Sequence, residues 1–388
     1  MVEQKNTITR LLSLDVFRGL TIAIMILVNS PGNQVAYSWL EHSSWNGCTL
    51  ADLVFPFFIV IVGMSSVLAL TNLKIKGASN KQLVGKIINR SVYLFILGLL
   101  LNSLPNHFDF SHLRILGVLQ RIAICYFFSS ILFLTTTIKT QKVIITVLLI
   151  GYWILISFFS PNQISIDHNL VSYFDQWLLS AHHLYRPMFD PEGLLSTLPA
   201  IASALFGNLL GFVLVSSRTK QQQLQWLISS GLILALLGFV WSLASPFNKF
   251  LWSSSYVLWT TGLAFLVFAC CFTLIEIKHR LPWSKPFALF GRHALLVYIL
   301  HVLFLKIQAI ILVHNTQGEL INLRLYITDL LFNRFSPENA SFCYAAGYTL
   351  FWLFVLKFIP KKKLKFDNKA RAAYQGQNPI HKKTDFEQ

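Results

Sequence analysis

The chain is divided into apolar runs of about 20 residues, the length at which an α-helix crosses roughly 30 Å of hydrocarbon. Ten such runs are read, near residues 11–29, 49–70, 90–104, 114–137, 142–160, 194–216, 224–243, 252–275, 287–312 and 341–358. Only 12% of the 388 residues are charged, against roughly 25% in soluble domains. The mean hydropathy is +0.57. These features exclude a soluble enzyme, a disordered chain and a coiled coil. The first run is too polar for a secretory leader and lacks a small-residue cleavage site. The expectation is an all-α polytopic membrane protein, a bundle of about ten transmembrane helices. A single transmembrane domain over 1–360 is followed by a basic tail over 361–388.

Placement of the cations sets the orientation. With the N-terminus inside, 23 of the 32 Lys and Arg flank the spans on the inner side and 5 lie on the outer side. The remaining four, Arg18, Arg121, Arg292 and Lys306, lie within spans. Such asymmetry obeys the positive-inside rule and puts both termini in the cytoplasm. The net charge of +16 is therefore a membrane signature, and the run Lys361-Lys362-Lys363 a flank near anionic lipid. Nucleic acid is not an expected partner. The outer loops 30–48, 161–193 and 313–340 are long, as loops that cover a site commonly are. Residues 319–333 read as a surface helix, and Gly207-x-x-x-Gly211 as a close helix contact. The five cysteines show no metal-ligand spacing, so no metal is expected; Cys48 and Cys343 both fall near the outer face and are open to pairing.

Ionisable groups inside a bilayer cost at least about 2.5–3.5 kcal/mol on insertion scales, so each needs a partner or a function. In the first span Asp15, Arg18 and Asn29 share one stripe at 100° per residue. Asp15 and Arg18 are spaced for an i, i+3 pair. Arg18 and Asn29 are separated by roughly 16 Å of helical rise, so one face is polar from the inner end to the outer. Asp52 opens the second span, and Arg121 lies at similar outer-half depth beside Gln120, which predicts an Asp52–Arg121 ion pair. Arg292 and His293 fall at the inner end of the ninth span; His301, deeper, reads as a hydrogen-bonded bundle histidine. Trp39 and Trp45 fit either interface anchors or parts of a site. His42, between them, is a titratable group near neutrality, and either an ordinary surface histidine or a general base.

Three stretches carry a family likeness: Ser13-Leu-Asp-Val-Phe-Arg-Gly19 with Val28-Asn29; His42-Ser-Ser-Trp-Asn-Gly-Cys-Thr-Leu-Ala-Asp-Leu-Val-Phe-Pro56; and Asp190-Pro-Glu-Gly-Leu194. With weaker matches at Gly117–Arg121, Leu251–Val257 and Gly291–Tyr298, the chain resembles the heparan-alpha-glucosaminide N-acetyltransferase family, including its bacterial NagX-like members. The resemblance implies a transmembrane acyltransferase that takes acetyl-CoA from the cytoplasm and acetylates an amino sugar or glycan on the far side. It assigns the catalytic histidine to His42 and its neighbour in the site to Asn29. It also implies a homodimer and, for a bacterial member, the inner membrane. Arg18, Arg292 and His293, with Asn29, are the candidates for holding CoA. Trp45, Asn46, Asp190 and Glu192 are the candidates for the acceptor, although Asp190 and Glu192 equally fit a turn and helix cap. Glu41 or Asp52 is placed to orient the imidazole. His42 acts either by deprotonating the amine or by carrying the acetyl group. The other reading of the same buried polar set is a transporter for N-acetylglucosamine or a related sugar, although no paired broken helices in two matching halves are visible.

Overall fold

The protein is described from a computed structural model over residues 10–104, 108–159, 169–315 and 317–359. The basic tail at 361–388 and part of the second long outer loop, 161–168, lie outside the described residues. The chain is an all-α polytopic membrane protein. Among the described residues nine helices are long and apolar enough to span a bilayer, and one further pair of helices, sharply bent, has the length and apolar content of a span when taken together. They are α1 (Leu12–Asn29), α2 (Leu50–Ile75), α3 (Asn80–Ser103), α4 (Val118–Thr135), α5 (Ile138–Phe159), α7 (Thr197–Val215), α8 (Lys220–Ser242), α9 (Ser254–Phe272), the pair α10 (Ser284–Arg292) and α11 (Ala294–Ile310), and α13 (Pro337–Phe358). The connections between spans add α6 (Leu170–Leu179), a two-stranded hairpin of Leu312–His314 with Leu320–Asn322, and α12 (Leu323–Phe332); inner and outer below follow the orientation expected from the cation distribution.

Burial sorts the helices into an inner set and a lipid-facing set. The apolar window of α7 is 78% buried and those of α2 and α9 are 61% buried, whereas α5 and α8 are 22% buried. Apolar all round and buried, the first set forms the bundle core. Glycine permits its tightest crossing. A Cβ on Gly63 of α2 would collide with the Ala204 carbonyl of α7, and one on Gly207 with the Val60 carbonyl of α2. Gly207 and Gly211 thus act as the small-residue contact their spacing predicts. The same device joins α1 to α10: Gly19 meets the Phe287 carbonyl and Gly291 meets the Asp15 carbonyl. This contact brings Arg292 and His293 beside the inner half of α1.

Several sequence expectations are adjusted. The third span begins ten residues earlier than read, because Ser79 and Gln82 form a capping box that starts α3 in the polar inner loop. The ninth is not one straight helix; it bends by 81° between α10 and α11, at His293, just after the Gly291 contact that holds α10 against α1. The surface segment 319–333 is helical only from Leu323, where the Asn322 side chain accepts from the Leu325 N–H. Cys48 and Cys343 are both free thiols.

Candidate functional site

The polar stripe of α1 borders a cavity of about 860 Å³, near the top of the roughly 300–1,000 Å³ range of small-molecule sites. Arg18, Arg90 and Arg292 line its inner part; Asn29, His42, Glu192 and Lys249 line its outer part; Lys306 and Tyr298 line it on the α11 side. Met25, Phe55, Phe58 and Leu119 form apolar wall between them. Among the described lining residues five are Lys or Arg, and Glu192 is the one carboxylate. A second cavity, of about 430 Å³, shares Val118, Leu119, Tyr185, Tyr298, Val302 and Lys306 with the first, and extends to Arg114 and His112 in the outer connection between α3 and α4.

At the inner end Asp15 holds two guanidinium groups. Arg18 donates to its Oδ1 at 3.2 Å, the i, i+3 pair read from the spacing, and Arg10 donates to both oxygens at 2.5 and 3.1 Å. Arg18 also donates to Ser65 Oγ on α2 at 2.7 Å and to the Gly291 carbonyl at 3.3 Å. One arginine therefore ties α1, α2 and α10 together at the cavity wall. The Arg90 guanidinium stacks over the Tyr126 ring at 4.7 Å.

The outer end is built from three segments. Asp52, at the third position of α2, is fully buried. Its Oδ2 accepts from the Thr49 and Ser43 N–H groups and from Thr49 Oγ1, each at 3.1 Å. Its Oδ1 lies 2.8 Å from His42 Nδ1. Asp52 has only acceptors to offer, so Nδ1 of His42 is the ring nitrogen that donates to it. The loop 42–49 is a local structure folded around one anion, and this is why the His-to-Asp spacing of ten residues works. His42 itself is 42% exposed. Lys249, from the short α8–α9 loop, puts Nζ 3.0 Å from Nδ1, 3.3 Å from Nε2 and 3.5 Å from Asp52 Oδ1. Burial pushes its ammonium below the usual lysine range, against the attraction of Asp52 and Glu192. Burial also raises the neighbouring Cys48 thiol to about 12, which leaves it an unreactive thiol.

The expected Asp52–Arg121 ion pair is absent. The two residues share a depth but face different neighbours: Asp52 turns into its own capping loop. Arg121 is buried against the start of α7, where Nη2 donates to the Gly193 carbonyl at 3.0 Å and Ser196 Oγ at 2.5 Å, with the Trp252 ring 5.0 Å from its guanidinium carbon. Depth read from helical rise says nothing about azimuth. Asp190 and Glu192 are engaged rather than open. Arg114 bonds both Asp190 oxygens, at 2.9 and 2.7 Å, and Glu192 as well. Asp190 also accepts the N–H groups of Tyr185 and Glu192, each at 2.9 Å. Asp190 is therefore a turn anchor beneath the site, and Glu192 alone of the two borders the cavity. No side chain caps α7 at Ser196; the turn before it is held by Asp175, which accepts from Leu194 N at 2.9 Å.

Asn29 is an exposed residue of the cavity wall. Trp45 is buried and stacks on Phe250 with centroids 5.6 Å apart, while Trp39 is the exposed one of the pair and stacks on Tyr37. Asn46 Oδ1 accepts from Asn248 Nδ2 at 3.2 Å, so the loops holding His42 and Lys249 are tied to each other one step behind the ring. His301 is buried, with Nδ1 2.9 Å from the Tyr298 carbonyl, as read for a bundle histidine. Glu41 is exposed, and orientation of the imidazole falls to Asp52. The residue that sequence reasoning missed is Lys249. Its signal was present: a cation in a short outer loop, on the side where cations are scarce.

The description "Heparan-alpha-glucosaminide N-acetyltransferase, catalytic" belongs to the family model that matches residues 10–240. The heparan-alpha-glucosaminide N-acetyltransferases of Homo sapiens and Mus musculus are each 30% identical over regions covering 76% and 77% of this chain. Those regions are 53% and 54% of the relatives, so the chain spans about half the length of the curated proteins it matches.

Proposed function

The chain belongs to the heparan-alpha-glucosaminide N-acetyltransferase family, and on that footing we propose that it is a transmembrane acetyltransferase that uses cytoplasmic acetyl-CoA to acetylate an amino sugar or glycan on the outer side. The observation that carries this reading is one cavity lined by arginines at the inner end and by Asn29 and His42 at the outer. CoA is a polyanion that does not cross lipid. Its phosphates match the guanidinium groups of Arg18, Arg90 and Arg292, with His293 adjacent, through charge-assisted hydrogen bonds. Its pantetheine arm is thin enough for the apolar wall of Met25, Phe55 and Phe58. The Arg18-to-Asn29 rise, roughly 16 Å, suits a reagent held at one end and consumed at the other.

The residues divide the chemistry. His42 Nε2, unprotonated because Nδ1–H is given to Asp52, takes the proton of the attacking amine. The N–C bond forms as the C–S bond breaks, and the proton passes on to the departing thiolate. The Asn29 amide donates to the carbonyl oxygen as negative charge develops there. Glu192 accepts from an N–H of the acceptor's neutral amine at the outer wall, while Trp45 and Asn46 hold the loop that carries His42. On this reading both termini lie inside, which the positive-inside distribution supports, and the protein is a homodimer of the bacterial inner membrane, as the resemblance implies.

The test is proteoliposomes with labelled acetyl-CoA on one face and glucosamine-terminated oligosaccharide on the other. Label on the sugar, lost in His42→Ala, is the expected result. Sugar flux without acetyl-CoA and without labelled product would instead establish a transporter and overturn the reading. A His42-acetyl peptide formed before acceptor is added would mark the two-step route.

A further inference from the structure

Resting on the acetyltransferase reading, we propose that Lys249 is a positioning residue that keeps His42 a neutral base at the outer face. The His42–Asp52 contact alone favours the imidazolium, because a buried carboxylate 2.8 Å from Nδ1 stabilises a positive ring. An imidazolium has no lone pair with which to take a proton from an amine. Lys249 Nζ opposes it from 3.0 and 3.3 Å from the two ring nitrogens, a distance at which two positive charges repel strongly even with solvent screening. The lysine is held there by what surrounds it. It is 13% exposed, lies 3.5 Å from Asp52 Oδ1, and sits in a loop whose Asn248 binds Asn46 of the His42 loop.

The charges facing the imidazole are few and come from identified elements. Asp52 comes from α2 and Lys249 from the α8–α9 loop. Glu192, from the segment before α7, borders the same cavity and is itself engaged by Arg114. Tyr256 of α9 donates to the Asp52 carbonyl; Cys48 is an un-ionised thiol at ordinary pH; Tyr185 lines the wall, and Glu41 is exposed. Asp52 and Lys249 are of opposite charge, so a proton on the imidazole adds one positive charge to this set. The arrangement lets a base exposed to the outside medium stay neutral at pH values where a bare His–Asp pair would be charged.

The experiment compares wild type with Lys249→Met and Lys249→Arg, with thermal stability of the purified protein measured in parallel. In Lys249→Met the acid limb of the kcat/KM profile moves up by about one pH unit, the expected scale for losing a partly screened like charge. Lys249→Arg keeps the limb in place, and KM for acetyl-CoA stays within about threefold in both variants, since neither change touches the inner wall. A second readout needs no turnover: carbethoxylation of His42 by diethyl pyrocarbonate, followed by peptide mass spectrometry against pH, reports the unprotonated ring directly. The same upward displacement in Lys249→Met supports the proposal even if the acceptor sugar is wrong. A carbethoxylation curve identical in wild type and Lys249→Met overturns it, whether or not acetyl transfer is found. A loss of thermal stability with no displacement of either curve assigns Lys249 a structural role only.

Discussion

The two ends of the cavity are both basic, but they handle charge differently. At the outer end Lys249 is paired with Asp52, and Arg114 with Asp190 and Glu192, while Lys306 gives its ammonium to the Leu101 carbonyl. At the inner end three guanidinium groups line the wall, and Asp15 is shared by Arg10 and Arg18. Balanced charge fixes geometry, as a site for bond making requires, because the partners hold one another's rotamers. On the proposed reading, the basic inner wall meets the phosphates of the polyanionic donor. The difference predicts that outer substitutions act on kcat and inner ones on KM.

The largest expected effect is His42→Ala, which removes the base and lowers kcat by about 10⁴-fold, the upper end of what general-base catalysis contributes. Acetyl-CoA affinity, measured by isothermal titration, stays near wild type. Next comes Asp52→Asn. The amide keeps the shape but donates to Nδ1, which moves the ring hydrogen to Nε2 and takes away the lone pair; kcat falls on the order of 10²-fold. A wild-type rate in this variant would break the assignment of Asp52 as the group that sets the tautomer. Smaller is Arg292→Gln, with KM for acetyl-CoA raised about tenfold, kcat within a factor of two, and a weaker dependence of KM on salt than in wild type. If Arg292→Gln lowered kcat and left KM alone, the contrast between the two ends would fail.

What was legible in the sequence follows a physical line. Features set within one helix were readable: the apolar runs, the Asp15–Arg18 pair three residues apart, and the Gly207–Gly211 spacing that admits α2. Features made by the meeting of distant segments were not. Asp52 and Arg121 share a depth but not a direction, and only packing showed that Asp52 faces its own loop while Arg121 faces Gly193 and Ser196. Lys249 is more than two hundred positions from His42 along the chain, and the sole hint was its sign on a face where that sign is rare. The bend at His293 was hidden for the same reason: its apolar content suffices for a span, and the Gly19–Gly291 contact that precedes it belongs to another helix. The motif around His42 was legible because the loop folds on itself, with the capping of α2 and the seating of the imidazole performed by one aspartate.

The smallest expected effect lies on the outer rim, at a buried carboxylate with one unpartnered oxygen. Asp175 of α6 gives Oδ1 to the N–H groups of Leu194 and Leu195, while its Oδ2 is buried without a hydrogen-bond partner. Burial outweighs those two bonds and lifts the carboxyl from 3.8 to about 6. A carboxyl whose pKa is raised on folding binds its proton more tightly in the native state, so its stabilising share is fully present below pH 3.8 and is lost as pH rises through about 6. Thermal melts of the detergent-solubilised protein between these limits and neutrality then show a fall of a few degrees toward pH 7. Asp175→Asn keeps the acceptor oxygen, removes the titration and flattens that slope. The turn it supports runs through Gly193, whose carbonyl Arg121 holds, and begins at Glu192 on the cavity wall. A rise in pH is therefore expected to loosen the turn at the outer end of the cavity. An unchanged slope in Asp175→Asn would place the pH response of the outer end in His42 and its two partners alone.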